Sequence, residues 1–216
     1  MPSLLEQPVP HVLARLQSAA PRLMIALAGL PGAGKSTLAA HLAEAVNAAT
    51  APNTLVALGM DGFHLTKDAL RQLPNPAEAF ARRGAPWTFD TDALLQRLQR
   101  VRAAAGRAAV LWPDFQHDIG DPVEGAFAVP PAARVVLVEG LYLLHDAAGW
   151  QPISQLFDER WYLDTPLDLA LERLAQRHMR AWGYTRSEAE GRIAASDRLN
   201  AELVLQTREQ ADWWLA

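Results

Sequence analysis

The chain has 216 residues, half of them hydrophobic and 20% charged, which is typical of a soluble globular protein with one full core. Its net charge of -4 argues against nucleic acid as a partner, and the absence of cysteine excludes disulfides, thiol nucleophiles and cysteine metal sites. The sequence has no secretory signal and no run of about 18 apolar residues, so we expect a cytoplasmic protein without a membrane span.

The first third of the chain predicts two helices and two strands in alternation. An apolar face predicts a short helix at 11–19, and the continuous apolar run 22–28 predicts a strand covered on both faces, as in a parallel sheet. A glycine-rich turn follows, then a helix from Lys35 to about Ala49 and a second strand at 54–60.

The middle of the chain is less regular. Prolines and glycines interrupt residues 65–90, a helix is predicted at 91–105, and 108–131 predicts a short strand followed by a loop, D-I-G-D-P-V-E-G. Beyond it, apolar runs predict strands at 134–140 and 161–164.

Two helix starts are predicted in the last third of the chain. The first helix has Thr165 as its cap and Pro166 at its first position, and the second begins at Ser187, with Glu190 completing a capping box. Together with the earlier elements, this alternation of strands and helices predicts an α/β layer structure around a mostly parallel sheet.

Residues 29–37, G-L-P-G-A-G-K-S-T, match the phosphate-binding pattern G-x-x-x-x-G-K-[ST] between a predicted strand and a predicted helix. Glycines let backbone amides curl around phosphate oxygens, and the helix that follows directs its positive end at them. Lys35 would reach the β- and γ-phosphates and Ser36 would bind Mg²⁺. The alternative is a glycine turn with a chance lysine. The predicted nucleotide-binding residues are Gly29, Leu30, Pro31, Gly32, Ala33, Gly34, Lys35, Ser36 and Thr37.

The remaining motifs favour a kinase among the nucleoside triphosphate-binding classes. Neither of the two lysines, Lys35 and Lys67, lies in a guanine-reading N-K-x-D, and the L-S-G-G-Q of ABC-type ATPases is absent. A compact kinase, in which a P-loop core binds ATP and inserted loops bind an acceptor, is the class that remains.

Two acidic residues follow predicted strands, where parallel sheets bind ligands. Glu139 ends the strongly apolar run V-V-L-V, from which it can reach Mg²⁺ or its water shell. Asp61 follows the strand after the P-loop helix, from which a carboxylate can take a proton from an acceptor hydroxyl. The alternatives are a turn residue for Asp61 and a surface acid at a strand end for Glu139.

These motifs resemble the uridine kinase, phosphoribulokinase and type I pantothenate kinase group. The resemblance rests on the P-loop, M-D-G-F-H at 60–64, R-R-G-A-P-W-T-F-D at 82–90, W-P-D-F-Q-H at 112–117 and V-E-G at 138–140. The spacing of V-E-G-L-Y-L-L, the later R-x-x-x-R-H and the terminal D-R-L-N-A resembles bacterial fructose transport system kinases.

The resemblance implies a three-layer P-loop NTPase fold with a five-stranded, mostly parallel sheet in the order 2-3-1-4-5. It implies a single domain over 1–216, with a core at 22–64 and 132–216, an acceptor-binding insertion at 65–131 and a lid at about 177–187. It also implies Asp61 as the acceptor base, Asp114 and His117 facing the acceptor, and lid arginines Arg173 and Arg177 on the ATP phosphates. Two departures leave the acceptor open: Trp112-Pro113 replaces the first aromatic of Y-D-F, and the pantothenate-type Y-S-H is absent.

Several further residues have both a functional and a structural interpretation. Arg173, Arg177 and Arg180 share a helix face, which is either a lid over the transferred phosphoryl group or a solvated basic face. Four other residues are either acceptor ligands or structural: His64 as a turn residue, Arg82 and Arg83 as a surface pair, and Asp90 as the cap of the 91–105 helix. Trp87 and Trp112 either stack on an acceptor ring or pack in the fold.

From the sequence we expect an ATP- and Mg²⁺-dependent kinase that phosphorylates a hydroxyl of a small metabolite such as a sugar, nucleoside or pantothenate-like acid. The predicted catalytic residues are Asp61, Lys35 and Arg177; the predicted metal ligands are Ser36 and Glu139; and the predicted acceptor ligands are His64, Arg83, Asp90, Asp114 and His117. The alternative is a nucleotide-binding regulator or slow ATPase without an acceptor. A homodimer is a candidate assembly that the sequence does not decide.

Overall fold

The computed structural model of the protein describes residues 4–18, 20–147 and 149–216. Its strands are β1 (Leu23–Gly29), β2 (Leu55–Gly59), β3 (Val110–Gln116), β4 (Asp121–Val129), β5 (Val135–Gly140), β6 (Glu159–Leu163) and β7 (Trp213–Leu215). Five of them form one sheet in the order β2-β5-β1-β6-β7, with every pairing parallel, and β3 and β4 form a separate antiparallel ribbon. Without the ribbon strands in the count, the sheet order is 2-3-1-4-5. The predicted α/β fold with a five-stranded parallel sheet is confirmed.

The helices connect the strands of the sheet and the ribbon. They are α1 (Pro8–Arg15), α2 (Lys35–Ala49), α3 (Lys67–Arg71), α4 (Pro76–Ala81), α5 (Thr91–Ala103), α6 (Gln151–Ser154), α7 (Leu167–Trp182), α8 (Arg186–Arg192) and α9 (Arg198–Gln206). A π-turn (Ile193–Asp197) joins α8 to α9, and short 3-10 turns lie at Met60–Phe63, Pro86–Thr88 and Arg208–Gln210. None of the helices within the described residues is both long and apolar enough to cross a membrane.

The main core surrounds the sheet on both faces. All seven residues of β1 are buried, as expected for a strand whose side chains alternate between two covered faces. Helix α5 contributes Leu94, Leu98 and Val101 to this core, all of them inaccessible to solvent. Helix α5 is therefore part of the core packing, although it lies within the segment 65–131 that the sequence assigns to the insertion.

The predicted cap of α7 is wrong. The helix begins at Leu167, and Pro166 precedes it without a capping side-chain hydrogen bond. The Thr165 hydroxyl instead donates to the Ala33 carbonyl of the P-loop at 3.2 Å. The hydroxyl thus bonds a distant carbonyl acceptor in place of a local amide donor, so Thr165 joins α7 to the P-loop.

The predicted capping box of α8 is wrong by two residues, and the helix begins at Arg186, one residue before the predicted start. The capping box is formed by Thr185 and Glu188, whose side chains each bond the other's backbone amide. Helix α7 ends at Gly183 in the left-handed conformation, with φ of 68°, which places Thr185 in the extended cap position. Glu190 pairs with the guanidinium of Arg186 at 2.5 Å and does not cap the helix.

The predicted loop D-I-G-D-P-V-E-G is only partly a loop. A tight turn at Gly120, with φ of 64°, returns the chain so that Asp121 pairs with Gln116, and β4 begins there. The helix predicted at 11–19 is observed as α1, which begins three residues earlier, at Pro8, and ends at Arg15. Ala19 lies outside the described residues.

Arg22 is a buried cation that ties the start of β1 to two other segments, and its side chain is only 3% exposed. Burial lowers the pKa of its guanidinium. Its nitrogens donate to the carbonyl oxygens of Val101 (2.5 Å), Ala133 (2.9 Å), Pro130 (2.9 Å) and Pro131 (3.1 Å). These carbonyl groups belong to the end of α5 and to the turn before β5. One side chain therefore satisfies several buried backbone acceptors of both segments.

We predict that Arg22→Met lowers the free energy of unfolding by about 3 kcal/mol, because the buried carbonyl groups lose their charged donor. Chemical denaturation followed by circular dichroism measures the change. Arg107→Met, at an exposed arginine, is the control and is expected to stay within about 0.5 kcal/mol of the parent. Equal stability of the two variants would contradict this role for Arg22.

Candidate active site

The P-loop connects the end of β1 to the start of α2. Gly32 and Gly34 have φ of 81° and 100°, in the left-handed region that favours glycine. A Cβ on Gly32 would lie 2.2 Å from the carbonyl oxygen of Ala170 in α7, whereas a Cβ on Gly34 would meet no described atom within 4 Å. The loop is therefore packed tightly against α7 on one side and open at the start of α2.

Lys35 is buried beneath this loop. Its Nζ donates to the carbonyl oxygens of Gly29 and Leu30, both at 3.0 Å. Burial lowers the pKa of the ammonium group, and the carboxylates of Glu139 and Asp61 oppose this effect. The lysine predicted from the motif therefore lies within the electrostatic range of both acids predicted from the strand ends.

A hydrogen bond between the side chains of Ser36 and Glu139 links the P-loop to the end of β5. Strands β1 and β5 pair directly, with Leu27 opposite Glu139, so the carboxylate emerges beside the loop. The Ser36 hydroxyl donates to Glu139 Oε1 at 2.7 Å. Burial raises the pKa of Glu139, and the charge of Lys35 opposes the rise. Two oxygen ligands suited to Mg²⁺ are thus adjacent.

Asp61 lies in the 3-10 turn that follows β2, and its side chain is exposed. Two close approaches hold this turn. A Cβ on Gly62 would lie 2.3 Å from the Pro113 carbonyl oxygen of β3, and a Cβ on Gly140 would lie 2.1 Å from the Met60 side chain. The glycine beside Asp61 therefore allows the ribbon to contact the turn directly.

One cavity of about 320 Å³ brings most of the predicted site together. The cavity is lined on one side by Ser36, Asp61 and Glu139 and on the other by Asp114 and His117 of the ribbon region. The rings of Phe115 and Phe127 supply apolar surface in the same cavity. Sequence reasoning did not identify Phe127, because its place in the cavity depends on the pairing of β3 with β4.

A second cavity, of about 460 Å³, lies on the opposite side of the P-loop. Its lining includes Gly34, Thr37, His41, Leu163 and Arg173. It adjoins the start of α2, so it is a candidate for the nucleoside part of a bound nucleotide.

The two predicted lid arginines lie on α7, both exposed. Arg173 Nη1 donates to the Ala33 carbonyl of the P-loop at 3.3 Å. The positive charge of Arg177 adds to the lowering of the pKa of Lys35 and opposes the rise in the pKa of Glu139. Arg177 therefore lies within electrostatic range of both residues. Helix α7 thus presents two cations at the P-loop.

His64 packs among aromatic rings at the edge of the cavity. Its ring centroid is 4.0 Å from that of Phe89 and 4.9 Å from that of Phe115. Its Nδ1 lies 2.8 Å from the backbone carbonyl oxygen of Asp61, and burial lowers the pKa of the imidazole. His64 therefore helps hold the turn that carries Asp61, and it packs against Phe115, which lines the cavity, without lining the cavity itself.

Besides His64, two more predicted acceptor ligands, Arg83 and Asp90, do not line the cavity and are engaged elsewhere. Asp90 caps α5 by accepting from the Ala93 amide at 2.9 Å, as the structural interpretation predicts. Arg83 donates to Asp121 at 2.7 Å and to the carbonyl oxygens of Leu65 and Gly120. Arg83 therefore links α4 to the turn between β3 and β4.

The tryptophans weighed as stacking residues differ from each other. Trp112 is fully buried, its Nε1 donates to the Gly59 carbonyl at 2.9 Å, and its ring packs edge-on against Phe63 at 5.0 Å. It packs in the fold. Trp87 is 47% exposed.

Comparisons with known proteins identify the family and several relatives of this chain. The family model described as Phosphoribulokinase / Uridine kinase family matches residues 24–214. A Schizosaccharomyces pombe protein named as a candidate uridine kinase, C227.14, is 39% identical over 184 residues, covering 85% of this chain and 78% of the relative. The Escherichia coli protein YggC is 33% identical over 213 residues, covering 95% of this chain and 83% of the relative. A crystal structure of a candidate fructose transport system kinase from Silicibacter sp. TM1040 is 33% identical, with a TM-score of 0.87 and 99% of each chain covered.

We predict that Asp121→Asn destabilises the protein by about 1 to 2 kcal/mol at pH 7, because Arg83 loses its carboxylate partner. Burial raises the pKa of Asp121, but hydrogen bonds from Arg83 and the Lys67 amide outweigh it, and the net pKa is lowered. A lowered folded-state pKa stabilises the protein above the unfolded value of about 3.9 and ceases to do so as pH falls through the folded value.

The difference in unfolding free energy between Asp121→Asn and the parent is therefore expected to shrink as pH falls from 7 towards 2. Denaturant titrations at several pH values measure it. Asp118→Asn, at an exposed neighbouring aspartate, serves as the control. A difference that stayed constant over this range would rule out the ion pair as its source.

Proposed function

The chain belongs to the Phosphoribulokinase / Uridine kinase family, and on that premise we propose that it transfers the γ-phosphoryl group of ATP, with Mg²⁺, to a hydroxyl group of a small metabolite. The observation that carries this proposal is that Asp61 lines one cavity together with the Ser36–Glu139 pair and with Asp114 and His117 of the ribbon region. A phosphoryl donor and an acceptor hydroxyl would meet at such a point.

The P-loop would bind the ATP phosphates. Its glycines allow close approach of backbone amides, and the positive end of α2 favours anions there. Lys35 already lies under the loop within range of both acids, from which it can neutralise the β- and γ-phosphates. Arg173 and Thr37, which line the second cavity, would bind the nucleotide from that side.

The residues present fit a magnesium ion. Among the described residues no group of three or more histidine, aspartate or glutamate side chains could hold a metal on its own. Mg²⁺ in kinases needs only one or two protein ligands besides phosphate oxygens and water. The adjacent oxygens of Ser36 and Glu139 supply them. When bound, the ion would neutralise negative charge on the β- and γ-phosphates.

Asp61 would act as the acceptor base. Its carboxylate can accept a hydrogen bond from the acceptor hydroxyl, orient its oxygen toward the γ-phosphorus and take the proton as the new P–O bond forms. Arg177 would stabilise the negative charge on the transferred group from the side of α7. Glu139 is less suited to the base role because its carboxylate is bonded to Ser36.

Acceptor binding would use the ribbon side of the cavity. Asp114 and His117 offer polar groups there, and Phe115 offers an apolar face. His64 would contribute ring surface beside Asp61. Arg83 and Asp90 would act on the acceptor through the turn and helix that they hold in place.

The alternative, a nucleotide-binding regulator or slow ATPase without an acceptor, requires no pocket between Asp61 and residues 82–117. The cavity of about 320 Å³ lined by Asp61, Asp114 and His117 counts against it. It would be supported by ATP consumption that no acceptor increases.

We predict that Asp61→Asn retains ATP binding but lowers kcat with the true acceptor by about 10²- to 10⁴-fold, because proton transfer in the transition state is lost. An ATP-consumption screen over nucleosides, sugars, sugar acids and vitamins identifies the acceptor. The control is Asp68→Asn, at an aspartate that is 91% exposed and pairs only with Arg71 among the contacts described. Turnover by Asp61→Asn at close to the rate of the parent protein would show that Asp61 is not the acceptor base.

We also predict that Glu139→Gln raises the Mg²⁺ concentration for half-maximal activity by about 10- to 100-fold, because a neutral amide replaces a carboxylate at the metal. Activity titrated with Mg²⁺ at saturating ATP measures the shift. Glu124→Gln, at an exposed glutamate of the ribbon, should leave the titration unchanged. An unshifted curve for Glu139→Gln would place the metal elsewhere.

A further inference from the structure

A segment that the proposed function leaves unused lies beside the P-loop. The turn at residues 4–7, just before α1, carries Leu4 and Leu5, and both line the second cavity, of about 460 Å³. This turn lies outside residues 24–214, which the family model matches, so the family pattern gives it no role. An exposed leucine alone needs no explanation, but Leu4, which is 44% exposed, lines a cavity beside a phosphate-binding loop. It is therefore placed to contact a ligand.

The contacts of α1 fix the position of this turn. His11 Nε2 lies 2.8 Å from Glu159 Oε2 at the start of β6, and Arg15 Nε lies 2.7 Å from Glu159 Oε1. The amide of Val9 in α1 donates to the Leu5 carbonyl at 3.2 Å, which ties the turn to the helix. The turn is thus held by a helix that is itself fixed to the central sheet.

The rest of the cavity lining suits a flat heterocyclic ring. Arg173 Nη1 donates to the Ala33 carbonyl at 3.3 Å, and this bond holds the planar guanidinium at the cavity. Leu38 and Leu163, both buried, add apolar surface. Guanidinium planes stack on aromatic faces, and leucine side chains gain dispersion contacts there. The cavity therefore offers a nucleotide base both stacking and apolar contacts.

The cavity is open towards the P-loop. Gly34 and Thr37 line it, and a Cβ on Gly34 would meet no described atom within 4 Å. A nucleotide whose phosphates are bound at the start of α2 can therefore extend into this space without obstruction. The volume of about 460 Å³ lies within the range of about 300 to 1,000 Å³ that small-molecule sites occupy.

The cavity at Asp61 is less suited to a base. Three carboxylates line it, those of Asp61, Asp114 and Glu139, and the proposed reaction uses them for the acceptor and Mg²⁺. The described lining of the second cavity contains no aspartate or glutamate. The two cavities therefore divide a bound nucleotide, with its base in the second cavity and its γ-phosphate directed to the first.

We infer that the N-terminal turn is part of the nucleotide site, with Leu4 and Leu5 packed against the base of bound ATP. The turn contributes to nucleotide affinity through the base and not through the phosphates, and binding covers the exposed side chain of Leu4. The inference rests on the proposed function in so far as the P-loop must bind a nucleotide. It does not require phosphoryl transfer.

Ligands with and without a base test the inference. Calorimetry measures the Kd of the Mg²⁺ complexes of ADP and of pyrophosphate for the parent protein and for Leu4→Ser. We expect Leu4→Ser to raise the Kd of ADP by about fivefold or more, because apolar contact with the base is lost. The Kd of pyrophosphate should stay unchanged. Leu199→Ser, at a leucine of α9 that is also 44% exposed, is the control and should change neither value.

The two binding constants separate the possible failures. An unchanged Kd of ADP in Leu4→Ser, or an equal rise for ADP and pyrophosphate, would overturn the inference. A parent protein that binds ADP in this way but phosphorylates no acceptor would contradict the proposed function and leave the inference in place. A parent protein that does not bind ADP would overturn both.

Photolabelling locates the base directly. The reagents are 2-azido-ADP and 8-azido-ADP, which carry a photoreactive group on the base, and trypsin releases the turn within the peptide that ends at Arg15. We expect at least one reagent to label that peptide on illumination, and excess ADP to prevent the labelling. Absence of label from that peptide with both reagents would overturn the inference, whether or not the protein transfers a phosphoryl group.

Discussion

The buried ammonium of Lys35 is the charge on which the arrangement of the site depends. It lies where β1 ends, with two backbone carbonyl oxygens as acceptors and two carboxylates within electrostatic range. A buried cation is stable only when such groups surround it. The direct parallel pairing of β1 with β5 provides one of them, because it brings Glu139 to the loop that carries Lys35 and Ser36. The hydrogen bond between Ser36 and Glu139 is thus a direct product of strand order.

Close backbone approaches at glycine assemble the rest of the site around this charge. Gly32 lets α7 contact the P-loop, Gly62 lets β3 contact the turn of Asp61, and Gly140 lets the end of β5 pack on Met60. In each case a Cβ would meet another atom at 2.3 Å or less. Helix α7 therefore meets the P-loop, and the ribbon and the end of β5 meet the Asp61 turn, with little space between them, which holds the side chains around them in a defined geometry.

Two adjacent arginines beside the ribbon, Arg82 and Arg83, use their charges differently in the fold. Arg83 is paired with Asp121 and with backbone carbonyl groups, and these contacts hold the turn between β3 and β4 in place. Arg82, one residue earlier, contacts the side-chain amide of Asn200 instead. The two adjacent arginines therefore have different partners, and the difference comes from the segments that they face.

The sequence by itself determined the features that depend on neighbours along the chain. The P-loop, the strand ends at Asp61 and Glu139, the cap of α5 at Asp90 and the alternation of strands and helices follow from glycine conformation, apolar periodicity and local hydrogen bonding. Tertiary structure alone decided the pairing of β7 with β6, the contact of Thr165 with Ala33 and the different partners of Arg82 and Arg83. The partners of Thr165 and Arg83 lie 132 and 38 residues away, and a hydroxyl or guanidinium bonds whichever acceptor the folded chain brings within about 3 Å.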